Sequence, residues 1–188
     1  MSETERSLSR NKFLPFLLLL FSQINNMDEL VLKPIGTIKS PFNSLEGMPI
    51  QPTGAGGVHG QIELLTEYVD GLQDLEDFSH VILIYQFHKS KGYELKVKPF
   101  MDDQLRGVFS TRAPKRPNPI GISVVKLLKI EDNILHFENI DVLNETPLLD
   151  IKPYISNIDN IQDIKIGWLE GKSEEMSSKK SDKRFYNE

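Results

Sequence analysis

A basic, proline-rich loop at residues 106–121 is the part of the chain best suited to chemistry. Its prolines at positions 114, 117 and 119 fix φ and reduce the entropy that is lost when the loop becomes ordered. The same loop carries Arg112, Lys115 and Arg116, and arginine binds a carboxylate or phosphate through two parallel hydrogen bonds. The pattern therefore predicts an anion-binding loop, with a solvated basic turn as the alternative interpretation.

A second polar segment, residues 141–154, carries a carboxylate, an ammonium and a phenol at alternate positions. These groups belong to Asp150, Lys152 and Tyr154. Because alternate side chains of an extended segment share one face, the three are placed to form a binding site. A structural ion pair on the surface accounts equally well for the pattern, and the residues alone leave both interpretations open.

Two histidines lie at the ends of residues 81–85, a continuous apolar run that predicts a buried strand. Seven extended residues between His80 and His88 would separate them by roughly 25 Å, so they do not chelate one ion. Nearby carboxylates show no zinc-ligand spacing, and the sequence predicts no metal site. His88 opens a loop at a strand end, where binding groups concentrate, whereas His80 is expected to form a structural hydrogen bond.

A glycine cluster at Gly54, Gly56 and Gly60 resembles a dinucleotide-binding fingerprint. His59 occupies the position of the third glycine, however, and a predicted strand follows where that fingerprint requires a helix. The cluster therefore predicts a flexible loop that leads into a hairpin.

The bulk composition indicates one globular domain with tails. The chain has 188 residues, of which 39% are hydrophobic and 26% charged, and it contains no Cys. Disulfides, thiolate metal sites and cysteine nucleophiles are thereby excluded. The formal net charge of -5 argues against a large basic surface that wraps RNA. It leaves room for a local basic cleft, because affinity depends on the phosphates that are contacted.

Residues 1–27 are predicted to be an N-terminal extension, either disordered or preceding a true start at Met27. Their apolar run at residues 13–21 is about half of the ~20 residues that a membrane-spanning helix needs. Arg6, Arg10 and Lys12 precede the run, which keeps a targeting segment as the alternative. We expect a cytoplasmic protein without stable membrane association.

The rest of the chain reads as strands with little helix. Residues 28–170 are expected to form the folded domain, and the polar residues 171–188 a solvated tail. Pro34 indicates an edge strand. Because strands do not alternate with helices, a small closed or nearly closed antiparallel β-barrel with few short helices is expected. The predicted strands are Leu30–Ile38, Val58–Leu65, Val81–Tyr85, Leu95–Val97, Gly107–Ser110, Ile122–Ile130, Asn133–Val142 and Asp163–Trp168.

Several short motifs, taken in their order, resemble the TsaA-like or TrmO family of S-adenosylmethionine-dependent tRNA N6-methyltransferases. Residues 116–121 read Arg-Pro-Asn-Pro-Ile-Gly and residues 150–154 read Asp-Ile-Lys-Pro-Tyr, and these are the most specific matches. The resemblance covers residues 33–155. Thr53 departs from it, since many members have glycine there.

The resemblance implies a small β-barrel methyltransferase that dimerises and uses S-adenosyl-L-methionine. Its substrate would be N6 of threonylcarbamoyl-adenosine at position 37 of tRNA. Two alternatives stay open: a methyltransferase of the same fold that acts on another small substrate, and a noncatalytic S-adenosylmethionine-binding regulatory barrel.

The resemblance also implies roles for individual residues. The chemistry itself requires that the substrate nitrogen lose a proton, and Asp150 and His88 are our candidates to assist that step. Lys115, Arg116, Lys152 and Tyr154 are expected to bind the substrate. The implied cofactor-binding residues are Gln51, Pro52, Thr53, His88, Lys89, Arg112, Ile122, Glu145, Thr146, Pro147 and Leu148.

Overall fold

The computed structural model describes residues 30–185, apart from the side chains of residues 173 and 174. The predicted N-terminal extension, residues 1–27, lies outside the described residues. The chain divides into compact units 1–32 and 33–188, and residues 30–32, the described part of the first unit, have no regular secondary structure. Throughout the described range, no helix is both long and apolar enough to cross a membrane.

The described residues form a mainly β structure with short helices. One α-helix, α1 (Ser156–Asp159), follows the last strand. The 3-10 helices are Pro52–Gly54, Thr66–Leu72, Leu75–Asp77, Val108–Ser110, Gly167–Leu169, Ser173–Ser177 and Lys183–Phe185. The strands are β1 (Gly36–Lys39), β2 (His59–Leu64), β3 (His80–Gln86), β4 (Lys96–Val97), β5 (Arg106–Gly107), β6 (Ile120–Glu131), β7 (Ile134–Glu138) and β8 (Thr146–Pro153).

Six of the described strands close an antiparallel barrel in the order β1-β2-β7-β6-β3-β8, and β4 pairs with β5 in a separate two-stranded sheet. This confirms the predicted fold class. The hairpin between β6 and β7 joins the strands predicted at 122–130 and 133–142, with Asp132 at φ 53° in its turn. Closure removes exposed sheet edges, which otherwise invite pairing with other chains.

The barrel core follows from alternation along the strands, because successive side chains point to opposite faces. In β6, Ser123, Val125 and Leu127 face inward and are buried, while Ile122 and Val124 face outward. The largest fully buried side chains of the barrel core are Phe137, Ile38, Ile62, Leu83, Leu135, Ile140, Leu148, Val81 and Val125.

The first strand differs from its prediction. Regular pairing begins at Gly36, after Pro34, which has no N–H to donate to a strand ladder. The prediction of an edge strand is wrong, because β1 pairs with β2 on one side and with β8 on the other. Barrel closure, a long-range property, gives β1 its second neighbour.

Two other strands end earlier than predicted. Within the predicted strand 107–110, only Gly107 is extended, and Val108–Ser110 turns into a 3-10 helix. The strand predicted over residues 133–142 ends at Glu138, because Asn139 adopts a left-handed backbone with φ 69°. A short polar residue tolerates that conformation where most residues do not.

The strand predicted at residues 163–168 is absent from the structure described for that segment. Asp163 and Gly167 have φ values of 57° and 59°, which an extended strand does not accommodate. A 3-10 helix at Gly167–Leu169 occupies the end of this segment.

A second, smaller apolar cluster supports the basic loop from outside the barrel. Val97, Val108 and Ala113 are buried there with Phe185, and Phe100 packs against them. The rings of Phe100 and Phe185 meet edge to face, with centroids 5.1 Å apart. Phe185 belongs to the segment that composition predicts to be a solvated tail, so the described part of that segment is packed against the folded domain.

Candidate active-site cavity at one end of the barrel

A cavity of about 280 Å³ opens at the barrel end where β3 finishes and where β6 and β8 begin. The barrel strands, the basic loop and the segment around residue 50 contribute to its wall, as does the packed C-terminal segment. Its lining residues are Leu45, Met48, Pro49, Ile50, Gln51, Pro52, Tyr85, Phe87, His88, Lys89, Ser90, Phe100, Thr111, Arg112, Pro114, Arg116, Ile120, Gly121, Ile122, Asp141, Val142, Leu143, Thr146, Ser181, Asp182 and Phe185.

A hydrogen-bonded chain of Tyr85, Ser123 and Asp141 lies beneath this cavity. Ser123 Oγ donates to Asp141 Oδ1 at 2.6 Å, and the Tyr85 hydroxyl lies 3.1 Å from Ser123 Oγ. A serine hydroxyl carries one hydrogen, which Asp141 receives. The Tyr85 hydroxyl must therefore donate to Ser123, so both hydrogens of the chain point towards the carboxylate.

Burial dominates the ionisation of this chain. It raises the pKa of Asp141 to about 6, an effect that the Ser123 hydrogen bond and the charge of Arg112 only partly offset. Burial and the nearby charge of Asp141 raise the pKa of Tyr85 above its ordinary value. Near pH 7.5 the cavity wall therefore holds an ionised carboxylate beside a neutral phenol.

His88 lies at the end of β3, with a tautomer that its neighbours determine. Thr146 Oγ1 donates its one hydrogen to the Leu143 carbonyl at 2.7 Å, so at 3.3 Å it accepts from His88 Nδ1. His88 Nε2 is buried and has no hydrogen-bond partner among the described residues. Burial, followed by the charge of Lys89, lowers the pKa of His88, which leaves a neutral imidazole with Nε2 as an acceptor.

The arginines of the basic loop differ in their contacts. Arg116 Nη1 donates to the carbonyls of Val108 and Thr111, at 3.1 and 2.9 Å, and so holds the loop together. Arg112 is exposed and lines the cavity. Within residues 30–185 its guanidinium forms no hydrogen bond or ion pair. Arg112 is therefore available to bind an anion in the cavity, while Arg116 is partly engaged in supporting the loop.

About half of the residues that the sequence singles out meet at this cavity. The lining residues among them are Gln51, Pro52, His88, Lys89, Arg112, Arg116, Ile122 and Thr146. Those that do not line it are Thr53, Lys115, Glu145, Pro147, Leu148, Asp150, Lys152 and Tyr154.

The implied cofactor residues outside the lining still belong to segments that border it. Leu148 is fully buried in the barrel core, and Glu145 forms an exposed ion pair with Lys39 at 2.8 Å. Glu145 has φ 61°, which turns the chain into β8 and brings Thr146 to the wall. Thr53 is exposed in the 3-10 helix that follows Gln51.

Asp150 and Lys152 lie on the outer face of the barrel. An irregularity in the pairing of β3 with β8 leaves Leu149 opposite no partner, between the pairs Tyr85–Leu148 and Ile84–Asp150. The extra residue reverses the alternation, so Ile151 packs on the core. Asp150 and Lys152 then share the outward face, as alternation predicts, and form an exposed ion pair of 2.8 Å.

Tyr85, Ser123 and Asp141 are functional candidates that the sequence patterns do not single out. One signal was available for Ser123, because a hydroxyl at an inward position of a long apolar strand needs a hydrogen-bond partner. Asp141 opens the polar segment 141–154, but nothing local separates it from the other carboxylates there. In the part of the chain that the structure describes, no group of three or more His, Asp or Glu side chains could hold a metal ion.

The chain is similar to proteins of one family along most of its length. The model of the tRNA-methyltransferase O N-terminal domain matches residues 37–160. A probable S-adenosyl-L-methionine-binding protein of Pyrococcus abyssi is 47% identical over 155 residues, which are 82% of this chain and 84% of the relative. The human tRNA (adenine(37)-N6)-methyltransferase is 36% identical over 142 residues, which are 72% of this chain.

The chain is also similar to a solved structure from the same family. The crystal structure of TrmO from Pseudomonas aeruginosa is similar with a TM-score of 0.64 and 39% sequence identity, over 74% of this chain. The chain covers 62% of that TrmO chain and 32% of the human relative. This chain thus spans only part of the length of these two longer proteins.

Proposed function

This chain belongs to the tRNA-methyltransferase O family, and we propose that it is an S-adenosylmethionine-dependent methyltransferase that modifies N6 of an adenine in tRNA. The observation that carries the proposal is the cavity at the barrel end. It combines a largely apolar wall with a few polar groups that converge on it, which is the usual construction of a small-molecule site. The family match indicates that the small molecule bound at this site is S-adenosylmethionine.

The residues of the cavity fit S-adenosylmethionine. His88 Nε2 is a buried acceptor without a partner among the described residues, Arg112 suits the carboxylate of the methionine portion, and apolar side chains suit the adenine ring. We propose that Gln51, Pro52, His88, Lys89, Arg112, Ile122 and Thr146 contact the cofactor. The proposed role of the implied residues that do not line the cavity is indirect. They shape the backbone turns that position the contacting residues, and they are Thr53, Glu145, Pro147 and Leu148.

When bound, S-adenosylmethionine supplies an electrophilic methyl group on a sulfonium. The protein then has to position the substrate nitrogen in line with that methyl group and accept a proton from it. We propose His88 as the group that receives this proton, because its Nε2 is an acceptor and lies in a residue of the cavity wall. Asp150, the other group expected to help, faces outward beside Lys152.

The finer substrate that we propose is threonylcarbamoyl-adenosine at position 37 of tRNA. Its carboxylate is an anion, and the rim of the cavity carries Arg112 and Arg116, although the whole chain has a net charge of -5. We propose that Lys115 and Arg116 contact the substrate from the loop, and that Lys152 and Tyr154 do so from β8 and the residues after it. Work on tRNA is consistent with a cytoplasmic protein.

We also propose a homodimer that forms through the outer face of β3 and β6. Ile122 and Val124, which are 51% and 38% exposed, lie directly opposite Ile84 and Ile82 in the sheet. A second copy would cover this apolar patch, and contiguous exposed apolar patches can mark interaction sites. Because Ile122 also lines the cavity, dimerisation and cofactor binding would share a residue. In such a dimer Asp150, next to Ile84 in the sheet, would lie at the interface.

One observation favours a second candidate function. The Pyrococcus abyssi protein, which matches over most of its own length, is named only as a binding protein, whereas this chain covers a minor part of the human methyltransferase. A barrel that binds S-adenosylmethionine without catalysis is therefore the alternative. It would bind the cofactor and form no methylated product.

Two measurements test the proposal. Calorimetry with S-adenosylmethionine, without RNA, is expected to show saturable binding, and absence of binding would remove both candidate functions. Mass spectrometry of tRNA nucleosides, from a strain that lacks the gene and from the same strain with the gene restored, identifies the substrate. Loss of a methylated adenosine that returns with the gene supports the enzyme, whereas identical nucleosides in both strains support the noncatalytic barrel.

A further inference from the structure

We propose that Asp141 and Arg112 together recognise the α-amino-acid end of the cofactor, with Asp141 binding its ammonium group and Arg112 its carboxylate. This inference rests on the proposed function, since the methionine portion of S-adenosylmethionine carries both groups on one carbon. It adds Asp141 to the cofactor-binding residues and assigns separate roles to the two charges.

The first observation is that two opposite charges line one cavity without pairing. Asp141 and Arg112 both belong to its wall. Among the described side chains, Ser123 is the donor that reaches the Asp141 carboxylate. The guanidinium of Arg112 influences the ionisation of both Asp141 and Tyr85, yet it is not bonded to either. A carboxylate and a guanidinium that are not paired with each other can bind a ligand that carries both an ammonium and a carboxylate.

The second observation is the direction of the hydrogen-bonded chain. Tyr85 donates to Ser123, and Ser123 donates to Asp141 Oδ1. Both hydrogens favour the ionised carboxylate and fix its orientation. The backbone N–H of Asp141 also donates to its own carboxyl, no side chain of residues 30–185 donates to Oδ2, and we propose that Oδ2 accepts from the ligand. Tyr85 and Ser123 are positioning residues in this arrangement.

The third observation concerns charge. A carboxylate that has lost bulk water is unfavourable until a cation or several donors compensate it. The Ser123 hydroxyl, the Asp141 backbone N–H and the charge of Arg112 compensate the burial of the Asp141 carboxyl only in part, so a cationic group in the cavity would stabilise it directly. An ammonium also donates a charge-assisted hydrogen bond, which is stronger than a bond between neutral groups.

A comparison of three ligands distinguishes a contact to the ammonium of the cofactor from a contact to its sulfonium. S-adenosylmethionine has an ammonium and a sulfonium, S-adenosylhomocysteine keeps only the ammonium, and methylthioadenosine has neither. Calorimetry at pH 7.5 would compare the wild-type protein with Asp141→Asn, which keeps the shape and removes the charge. The matched control is Asp132→Asn, the same change in the hairpin turn between β6 and β7, where asparagine also tolerates the left-handed backbone.

We expect Asp141→Asn to weaken S-adenosylmethionine and S-adenosylhomocysteine equally, by about 10- to 100-fold, as for a hydrogen bond between charged groups. Methylthioadenosine should bind the variant as it binds the wild type, and Asp132→Asn should change no affinity. Weakening of S-adenosylmethionine alone would assign Asp141 to the sulfonium and overturn the proposal. Unchanged affinity for both ligands would also overturn it, whether or not turnover falls. Absence of cofactor binding by the wild type would remove the proposed function and this inference together.

The wild-type protein offers an independent test that does not depend on the folding of a variant. Between pH 7.5 and pH 5, protonation of Asp141 should reduce the affinity for S-adenosylhomocysteine relative to methylthioadenosine. The groups that face Asp141 are Tyr85 from β3, Ser123 from β6 and Arg112 from the loop. The cavity also contains the titratable side chains His88, Lys89 and Asp182. His88 affects both ligands, so a constant ratio of the two affinities across this range would contradict the proposal.

Discussion

The ring of Tyr85 occupies the space where a side chain at residue 121 would begin. A Cβ built on Gly121 would lie 2.3 Å from Tyr85 Cε2 and 2.9 Å from Phe87 Cζ. Glycine is therefore required at this point of β6, so that Tyr85 of β3 and Phe87, just after β3, can pack across it. The contact fixes the Tyr85 hydroxyl over Ser123 and forms part of the cavity wall.

Gly121→Ala is expected to destabilise the protein by about 1 to 3 kcal/mol, because the added methyl group overpacks a closed core. Urea denaturation monitored by circular dichroism measures the change. Gly71→Ala is the matched control, since a Cβ on Gly71 meets no atom within 4 Å. If both variants unfold at the wild-type midpoint, Tyr85 is able to move aside and the packing argument fails.

Arg112→Ala is expected to reduce methylation of tRNA by about 100-fold or more, because it removes a bidentate contact to an anion. The side chain is exposed, so the midpoint of thermal unfolding should stay unchanged. Lys129→Ala, which removes an exposed cation of β6 far along the strand, serves as the control. Turnover by Arg112→Ala at the wild-type rate would remove Arg112 from the site.

Asp141→Asn is expected to be more stable than the wild type at neutral pH when no ligand is present. Burial raises the pKa of Asp141 from 3.8 to about 6, so between these values the folded protein binds more protons than the unfolded chain. Stability from this group is therefore present below pH 3.8 and is lost as the pH rises towards 6.

Above pH 6 the gain from Asp141→Asn should reach up to about 3 kcal/mol, from 1.36 kcal/mol per pKa unit. Near pH 4 it should largely vanish. Denaturation curves at both pH values measure it. An equal gain at pH 4 and pH 7.5 would show that ionisation of Asp141 is not its origin.

Ser123→Ala is expected to raise the pH at which cofactor affinity falls. The Ser123 hydrogen bond lowers the pKa of Asp141, so its loss allows the carboxyl to protonate at a higher pH. Calorimetry with S-adenosylhomocysteine between pH 5 and pH 8 measures the midpoint. Val125→Ala, two residues along the same inward face, controls for loss of core packing. A midpoint that moves equally in both variants, or in neither, would exclude Ser123 as a positioning residue.

Phe185→Ala is expected to destabilise the small cluster beside the cavity by about 3 kcal/mol, the lower end for a buried aromatic side chain. Phe185 is 8% exposed, whereas Phe109 is 73% exposed, so Phe109→Ala should change stability by less than about 1 kcal/mol. Because Phe185 lines the cavity, cofactor affinity should fall with the first change. Equal stability of the two variants would show that the C-terminal segment does not pack in solution as described.

Local pattern predicts much of the barrel, because strand alternation is itself a local signal. The runs that become β3, β6 and β7 are mostly apolar at their inward positions, and the hairpin between β6 and β7 has only two turn residues, Asp132 and Asn133. Strand ends are harder to predict. The left-handed backbone at Asn139 and the 3-10 helix at Val108–Ser110 depend on tertiary contacts that flanking residues do not encode.

The sequence by itself determined the family resemblance, the strands and the residues of the basic loop, because these depend on residue types that lie close together in the chain. Only the tertiary structure decided which polar groups meet. Tyr85, Ser123 and Asp141 come from separate segments and are joined by barrel closure. The extra residue at Leu149 turns Asp150 outward, since one inserted residue reverses which face a strand presents. We therefore place the carboxylate that is proposed to bind the cofactor at Asp141 and not at the motif residue Asp150.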